Sequence, residues 1–155
     1  MDRLLTVESP SDEIEALDQI DLASEAVTDE RFAEVYSKAS MEGVDQNANI
    51  RLVEYKPNYL QYESTSEFDE IALFSEIYYP QGWEVRIDGE PAEYFRANYV
   101  LRAMVVPAGE HIIEWEFKIP EFRKVENITL AASLIILAGV AAALAATFIS
   151  IRKNS

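Results

Sequence analysis

The sequence predicts a mainly β protein: an antiparallel β-sandwich with a short helical N-terminal segment and one C-terminal transmembrane helix. Three observations carry that reading. Between Ile50 and Ile119 apolar and polar residues alternate in short runs rich in β-branched and aromatic side chains, with turn residues between the runs. Before Asn49 the apolar spacing is helical or irregular instead. From Ile128 to Ile151 there are 24 residues without a charge, closed by Arg152-Lys153, the pattern of an apolar helix that crosses a bilayer.

Residues 1–49 form a helical and loop-like lead-in that packs on the β-domain. Ser11-Asp-Glu-Ile14 offers an N-cap, and Ile14, Leu17 and Ile20 recur at helical spacing. A second short helix is expected over Asp29 to Ser37, capped by Thr28 or Asp29, with Phe32, Val35 and Tyr36 on its docking face. Met41 to Asn49, with Gly43 and two asparagines, is a linker.

Residues 50–120 carry the sandwich. Strands are expected near Ile50–Tyr55, Tyr59–Ser64, Glu70–Tyr78, Trp83–Ile87, Ala92–Phe95, Tyr99–Val106 and His111–Lys118, with one more at Leu4–Val7, in two packed sheets. Trp83, Val85 and Ile87 alternate with Glu84, Arg86 and Asp88, and Ile113, Trp115 and Phe117 with Glu114, Glu116 and Lys118, so the first of each set faces the core. Asp88-Gly89 and Pro107-Ala-Gly109-Glu read as hairpin tips. Pro120 ends the last strand, residues 121–127 are a charged spacer, 128–151 the span, and 152–155 a cytoplasmic tail.

Composition narrows the chemistry. Before Ile128 there are 28 acidic against 11 basic side chains, a net charge of −17 that repels nucleic acid. The acids are dispersed along the chain, as on a solvated surface, and form no acidic tail. The absence of cysteine removes disulfides, thiolate metal sites and a cysteine nucleophile, and leaves the redox compartment open. No calcium-loop spacing occurs, and the single histidine, His111, has no serine or cysteine motif around it, so no metal, cofactor or catalytic residue is assigned. Met1-Asp-Arg-Leu-Leu-Thr-Val is not a signal peptide, so a β-domain outside the cytoplasm would need an upstream membrane segment for delivery. Basic residues on both sides of the span leave its orientation undecided: Lys118, Arg123 and Lys124 precede it, Arg152 and Lys153 follow.

The run Ser75-Glu-Ile-Tyr-Tyr-Pro-Gln-Gly-Trp-Glu-Val-Arg-Ile-Asp-Gly89, followed by Tyr94-Phe-Arg-Ala-Asn-Tyr-Val-Leu-Arg-Ala-Met-Val-Val-Pro-Ala-Gly-Glu-His111, resembles the C-terminal region of YfhO-like bacterial membrane proteins. The segments Ile14-Glu-Ala-Leu17 and Ala26-Val-Thr-Asp-Glu-Arg-Phe32 and the terminal span are similar to the rest of that region. The resemblance implies a polytopic GT-C-like parent that transfers sugars from polyprenyl-phosphate carriers to cell-envelope polymers, with its β-domain outside the inner (cytoplasmic) membrane. It implies upstream membrane helices, in the same or a partner protein, as neighbours of the span. No position here matches a catalytic loop of that family, so no catalytic residue is carried over.

One ligand site can be drawn. Tyr78, Tyr79 and Trp83 flank a Pro-Gln-Gly turn and could stack on a sugar ring while Asp88, Arg96, Asn98 and Arg102 bind its hydroxyls, making an envelope glycan the candidate ligand. The structural alternative is that the aromatics fill the core and the arginines pair with carboxylates. Arg102, between Leu101 and Ala103 in an apolar strand, requires an acidic partner, with Asp88 and Glu76 as candidates. Two further function classes compete with the envelope reading: a tail-anchored cytosolic interaction module, and, last, a hydrolase without a recognisable nucleophile. The surplus of carboxylates also fits adaptation to high salt. On that hypothesis the thermal midpoint of the β-domain rises between dilute buffer and molar salt, and an unchanged midpoint removes it.

Overall fold

The computed structural model describes residues 3–38, 43, 45–118 and 130–139. The chain separates into two units, residues 1–118 and 119–155. The spacer 121–127, the tail 152–155 and most of the stretch 128–151 lie outside the described residues. The first unit is mainly β, with antiparallel sheets and few helices.

Its strands are β1 (Arg3–Val7), β2 (Glu25–Asp29), β3 (Asn49–Lys56), β4 (Tyr59–Ser66), β5 (Glu70–Ile77), β6 (Trp83–Ile87), β7 (Glu90–Ala92), β8 (Phe95–Ala97), β9 (Leu101–Val106) and β10 (Gly109–Phe117). The helices are α1 (Pro10–Leu17), a single 3₁₀ turn at Glu30–Phe32, and α2 (Ala33–Tyr36). The larger sheet has the order β3-β4-β10-β6-β7 and the smaller one β5-β9-β8, while β1 and β2 form a separate parallel pair.

The two antiparallel sheets face each other. Leu60, Tyr62, Val85, Ile113 and Trp115 from the larger sheet meet Phe74, Met104 and Val106 from the smaller one in one buried cluster. Trp83 and Ile87 pack against it at partial exposure, so of the inward set expected from alternation all but Phe117 join this cluster. The smaller sheet is covered on its other face as well. There Ile71, Phe95, Ala97 and Ala103 meet Leu4 of β1 and the Phe32, Val35 and Tyr36 face of the second helical segment. The first unit is therefore three layers deep, and β9 lies in the middle one. This is why its sequence is almost wholly apolar: a strand buried on both faces has no solvent side to alternate with.

Four expectations are corrected. The β9–β10 connection is not a hairpin tip, because β9 belongs to the smaller sheet and β10 to the larger; Pro107-Ala108 turns the chain from one sheet to the other. The expected strand Ala92–Phe95 is two short strands, β7 and β8, on different sheets. The lead-in holds a strand, β2, where only helix and loop were expected. The N-cap of α1 is Ser9, whose Oγ accepts from the Asp12 N–H at 3.3 Å with Pro10 at the first helical position, and Ile14 is 47% exposed while Glu13 and Ala16 are buried. Asp29 does cap the second helical segment, its carboxylate accepting from the Arg31 N–H at 3.0 Å.

Two glycines have geometric reasons to be there. Asp88 (φ 52°) and Gly89 (φ 85°) form the left-handed two-residue turn that joins β6 to β7. A Cβ on Gly82 would run into the Phe117 ring, so a larger residue in the turn before β6 would have to displace that ring at the end of β10. Trp115, fully buried, packs edge-on to Phe74 (5.3 Å) and Tyr94 (4.9 Å). Trp115→Ala is expected to cost about 3–5 kcal/mol, measurable as a lowered denaturant midpoint; an unchanged midpoint would refute the inter-sheet core described above.

Candidate functional site

Arg102 is the chemical centre of the inter-sheet layer. It is 1% exposed, and its guanidinium is stacked between two indoles, 4.5 Å from the centroid of Trp83 and 4.4 Å from that of Trp115. Both indoles belong to the larger sheet and Arg102 to the smaller, so the cation–π pair ties the sheets together. The acidic partner is Glu76, with Oε2 at 3.7 Å from Nη2. A register shift between Phe74 and Ile77 sets Ser75 and Glu76 out of the β5–β9 pairing. Asp88 is not the partner; it lies at the far end of β6 from Trp83, about 16 Å away along a five-step strand.

The rest of the layer is aromatic. The Tyr62 hydroxyl donates to Glu76 Oε1 at 3.0 Å, and the Tyr94 hydroxyl donates to the Trp83 carbonyl at 2.9 Å. Burial pushes both phenols up, Tyr94 to about 12, so neither supplies a phenolate near neutral pH. Burial also lowers the Arg102 pKa from its ordinary value, opposed first by Glu76 and then by Tyr62 and Tyr94. Arg102 Nε and Nη1, Glu76 Oε2 and Trp115 Nε1 are buried without a hydrogen-bond partner in the protein. A surface hollow of about 410 Å³ bordered by Trp83, Val85, Ala92 and Tyr94, with Glu84 and Arg86 at its rim, lies beside this layer.

A second constellation fastens the lead-in. Glu13 of α1 is 0% exposed; its Oε2 accepts from Arg96 Nη2 at 2.5 Å and its Oε1 from the Tyr99 N–H at 2.8 Å. Asn98 Oδ1 accepts from the Val27 N–H at 2.9 Å, and the Asn98 N–H donates to the Val27 carbonyl at 2.8 Å. Thr28 Oγ1 donates to the Arg96 carbonyl at 2.6 Å. These bonds hold Asn98 (φ 48°) and Tyr99 (φ 67°) in the left-handed region, a strained conformation for a residue as bulky as tyrosine.

The third is at the opposite end of the strands. Asp88 Oδ2 meets His111 Nδ1 at 2.7 Å, Asp88 Oδ1 accepts from the Ile112 N–H at 2.8 Å, and His111 Nε2 lies 3.2 Å from the Ala108 carbonyl. Both ring nitrogens face acceptors, so the geometry favours the doubly protonated ring. A general base needs a free lone pair on one nitrogen, and neither is available. Ser64 is nearby, yet its hydroxyl donates to the His111 carbonyl and makes no contact with the ring nitrogens.

The seven residues of the sequence-derived site therefore fall in four places. Tyr78, Trp83 and Arg102 gather around Tyr94 and Trp115, with the Tyr78 and Tyr94 rings 5.5 Å apart. Tyr79, 46% exposed, lies beside Phe117 at 6.3 Å. Arg96 and Asn98 hold the lead-in, and Asp88 holds His111. Trp83 does not offer an open platform, since one side of the ring is covered by Arg102 and Phe117 packs against it at 5.2 Å. Sequence reasoning missed Glu13, Tyr94 and Trp115 as members of these clusters; only Trp115 carried a signal, its inward place in the β10 alternation.

Among the described residues no group of three or more His, Asp or Glu side chains is gathered to hold a metal ion, and no helix is long and apolar enough to cross a membrane. The fold and these clusters define a layered, mainly β domain in which Arg102, Arg96, Asn98 and Asp88 are engaged by neighbouring residues of the domain itself. No family model, no curated protein and no solved structure matches the chain.

The His111–Asp88 pair makes stability pH-dependent with a definite sign. Hydrogen bonding to Asp88 raises the His111 pKa above its ordinary 6.5, so this stabilisation is complete below that value and is lost as pH rises through the folded-state pKa. The Asp88 pKa is lowered, first by the same bond, so its stabilisation is present above the ordinary 3.8 and disappears as pH falls through the folded-state pKa. Stability from the pair is thus greatest between those ordinary values. His111→Gln should flatten the decline in denaturant midpoint from pH 6 toward alkaline pH; a parallel decline in wild type and variant would remove the pair as its source.

Proposed function

We propose that this chain is a non-catalytic β-domain with a membrane span, serving a larger envelope protein of the YfhO-like type, in which it braces the membrane part that carries out sugar transfer from a polyprenyl-phosphate carrier. The observation that carries the reading is the helical segment 130–139, Leu-Ala-Ala-Ser-Leu-Ile-Ile-Leu-Ala-Gly. It is apolar on every face, and Leu130, Leu134, Ile135, Ile136 and Leu137 are all between 59% and 73% exposed. A helix hydrophobic all round is stable only inside a larger protein or a bilayer. Ten residues rise about 15 Å, half the hydrocarbon thickness, and the uncharged sequence continues to Ile151.

Bracing is favoured over glycan recognition by what the candidate ligand residues do. Arg96 and Asn98 are engaged by Glu13 and Val27, Arg102 by two indoles and Glu76, and Asp88 by His111. A glycan site would need several of these groups turned toward solvent together. Placement of the β-domain outside the cytoplasm rests on the family resemblance alone.

Gln46, in an exposed turn, can be made the only cysteine of the molecule. With Gln46→Cys expressed in the host of origin, a membrane-impermeant maleimide should label intact cells, after permeabilisation of any outer membrane. Labelling that requires rupture of the inner membrane, with the variant folded, would make the protein a tail-anchored cytosolic module and end the envelope assignment.

A further inference from the structure

The larger sheet is wider than the smaller one, and its edge strand β3 overhangs. Tyr62 of β4 stands over β5: its ring lies 5.0 Å from that of Phe74 and its hydroxyl donates to Glu76. β5 is itself the edge of the smaller sheet, so among the described residues no strand of that sheet lies beneath β3. A hollow of about 190 Å³ bordered by Ile50, Ser64, Ala72 and Leu73 opens there instead. None of the eight residues of β3 is buried.

The pairing with β4 fixes which way each side chain of β3 faces. Ile50, Leu52 and Tyr55 stand opposite Ser64, Tyr62 and Leu60, three buried residues, so they share the core-facing side of the sheet. On the overhang that side meets water, and they are 39%, 43% and 71% exposed. Arg51, Glu54 and Lys56 face outward, opposite Glu63, Gln61 and Tyr59. Val53 is the extra residue of a bulge, and it is what brings Arg51 and Glu54 to the same face. The free edge of β3 has no neighbouring strand among the described residues. The far edge of the same sheet, β7, is three residues long and carries Pro91, which blunts it against further pairing. β3 is long, lacks proline and turns its charges outward, so its apolar side is left unguarded.

We infer that β3 is a self-association edge: two copies of the chain pair β3 against β3, antiparallel, about a two-fold axis at Leu52. The inference concerns the first unit alone and does not depend on the envelope reading. In that register the strand is its own complement. Counting past the bulge, Leu52 falls opposite Leu52 of the second copy, Ile50 opposite its Tyr55, and Arg51 opposite its Glu54. The two apolar overhangs then cover one another, and two Arg–Glu pairs form on the outward face. Moving the axis by one residue sets Arg51 against Arg51, or Glu54 against Glu54 and Arg51 against Lys56, so charge selects the Leu52 register. Because β7 is blunted, the joined sheet closes at two copies.

The test uses the full chain, which has no cysteine of its own, purified in detergent micelles and oxidised. Opposed Cα atoms in an antiparallel pair lie about 4.5–5.5 Å apart, within disulfide reach. Leu52→Cys should yield a disulfide-linked dimer, and Ile112→Cys, equally exposed on the outward face of β10, should stay monomeric. Arg51→Glu added to Leu52→Cys should weaken dimerisation about tenfold, since the two-fold repeats the altered contact, and adding Glu54→Arg to that chain should restore it. A Leu52→Cys chain that stays monomeric on oxidation would overturn the self-pairing. Equal cross-linking at Leu52→Cys and Ile112→Cys would reduce it to collision within a micelle and overturn it as well. Cross-linking at Leu52→Cys that ignores both charge changes would overturn the register on which the inference stands.

Discussion

A guanidinium held between two indoles is the interaction on which the layered body depends. β9 is covered on one face by the five-stranded sheet and on the other by the lead-in, so any charge it carries is cut off from water. Arg102 is tolerated there because three sources of negative potential converge on it: the faces of Trp83 and Trp115 and the carboxylate of Glu76. The arrangement specifies how the sheets stack, since sliding one over the other would strip the cation of its partners. An apolar residue in its place would fill the space without dictating that alignment.

Burial on both faces also explains where the sequence could be read and where it could not. Strands β6 and β10 each have one face in the core and one in water, so Val85, Ile113 and Trp115 stand out against Glu84, Glu114 and Glu116. β2 gives no such contrast: Ala26, Val27, Thr28 and Asp29 are all buried, and its polar groups are satisfied by Asn98 and the Arg96 carbonyl some 70 positions away. In α1 the apolar period misleads at Ile14, which is exposed while Leu17 is half-buried, because the residue that docks is an acid, Glu13, whose partners cannot be inferred from local pattern. The Pro107-Ala-Gly109 signal announced a turn correctly, but turn residues set a local bend and do not say which sheet the next strand joins.

The candidate site failed to hold together for a related reason. Aromatic and basic residues close in sequence can project from opposite ends of a strand or into different layers, as Trp83 and Asp88 do from the two ends of β6. Arg102 had two acidic candidates by proximity of type, and the register shift in β5 is what selected Glu76. Such a shift leaves no mark in composition. Apart from Tyr79, the residues that a sugar would require are thus parts of three separate structural fastenings: one between the two antiparallel sheets, one between β8 and the lead-in, and one between the β6–β7 turn and the start of β10.

These fastenings share a physical logic that bears on how the domain meets its surroundings. Each neutralises or shelters a charge within the body: Arg102 with Glu76, Arg96 with Glu13, His111 with Asp88. The excess of acid remains outside them, at both ends of the strands: Asp18 and Asp21 in the connection that leads into β2, and Glu67, Asp69 and Asp88 in the turns at the other end. Charge left in water costs the fold little, whereas charge drawn into the body has to be met by a partner of opposite sign or an aromatic face. The dispersed acidic surface and the three internal fastenings are thus two outcomes of one desolvation penalty.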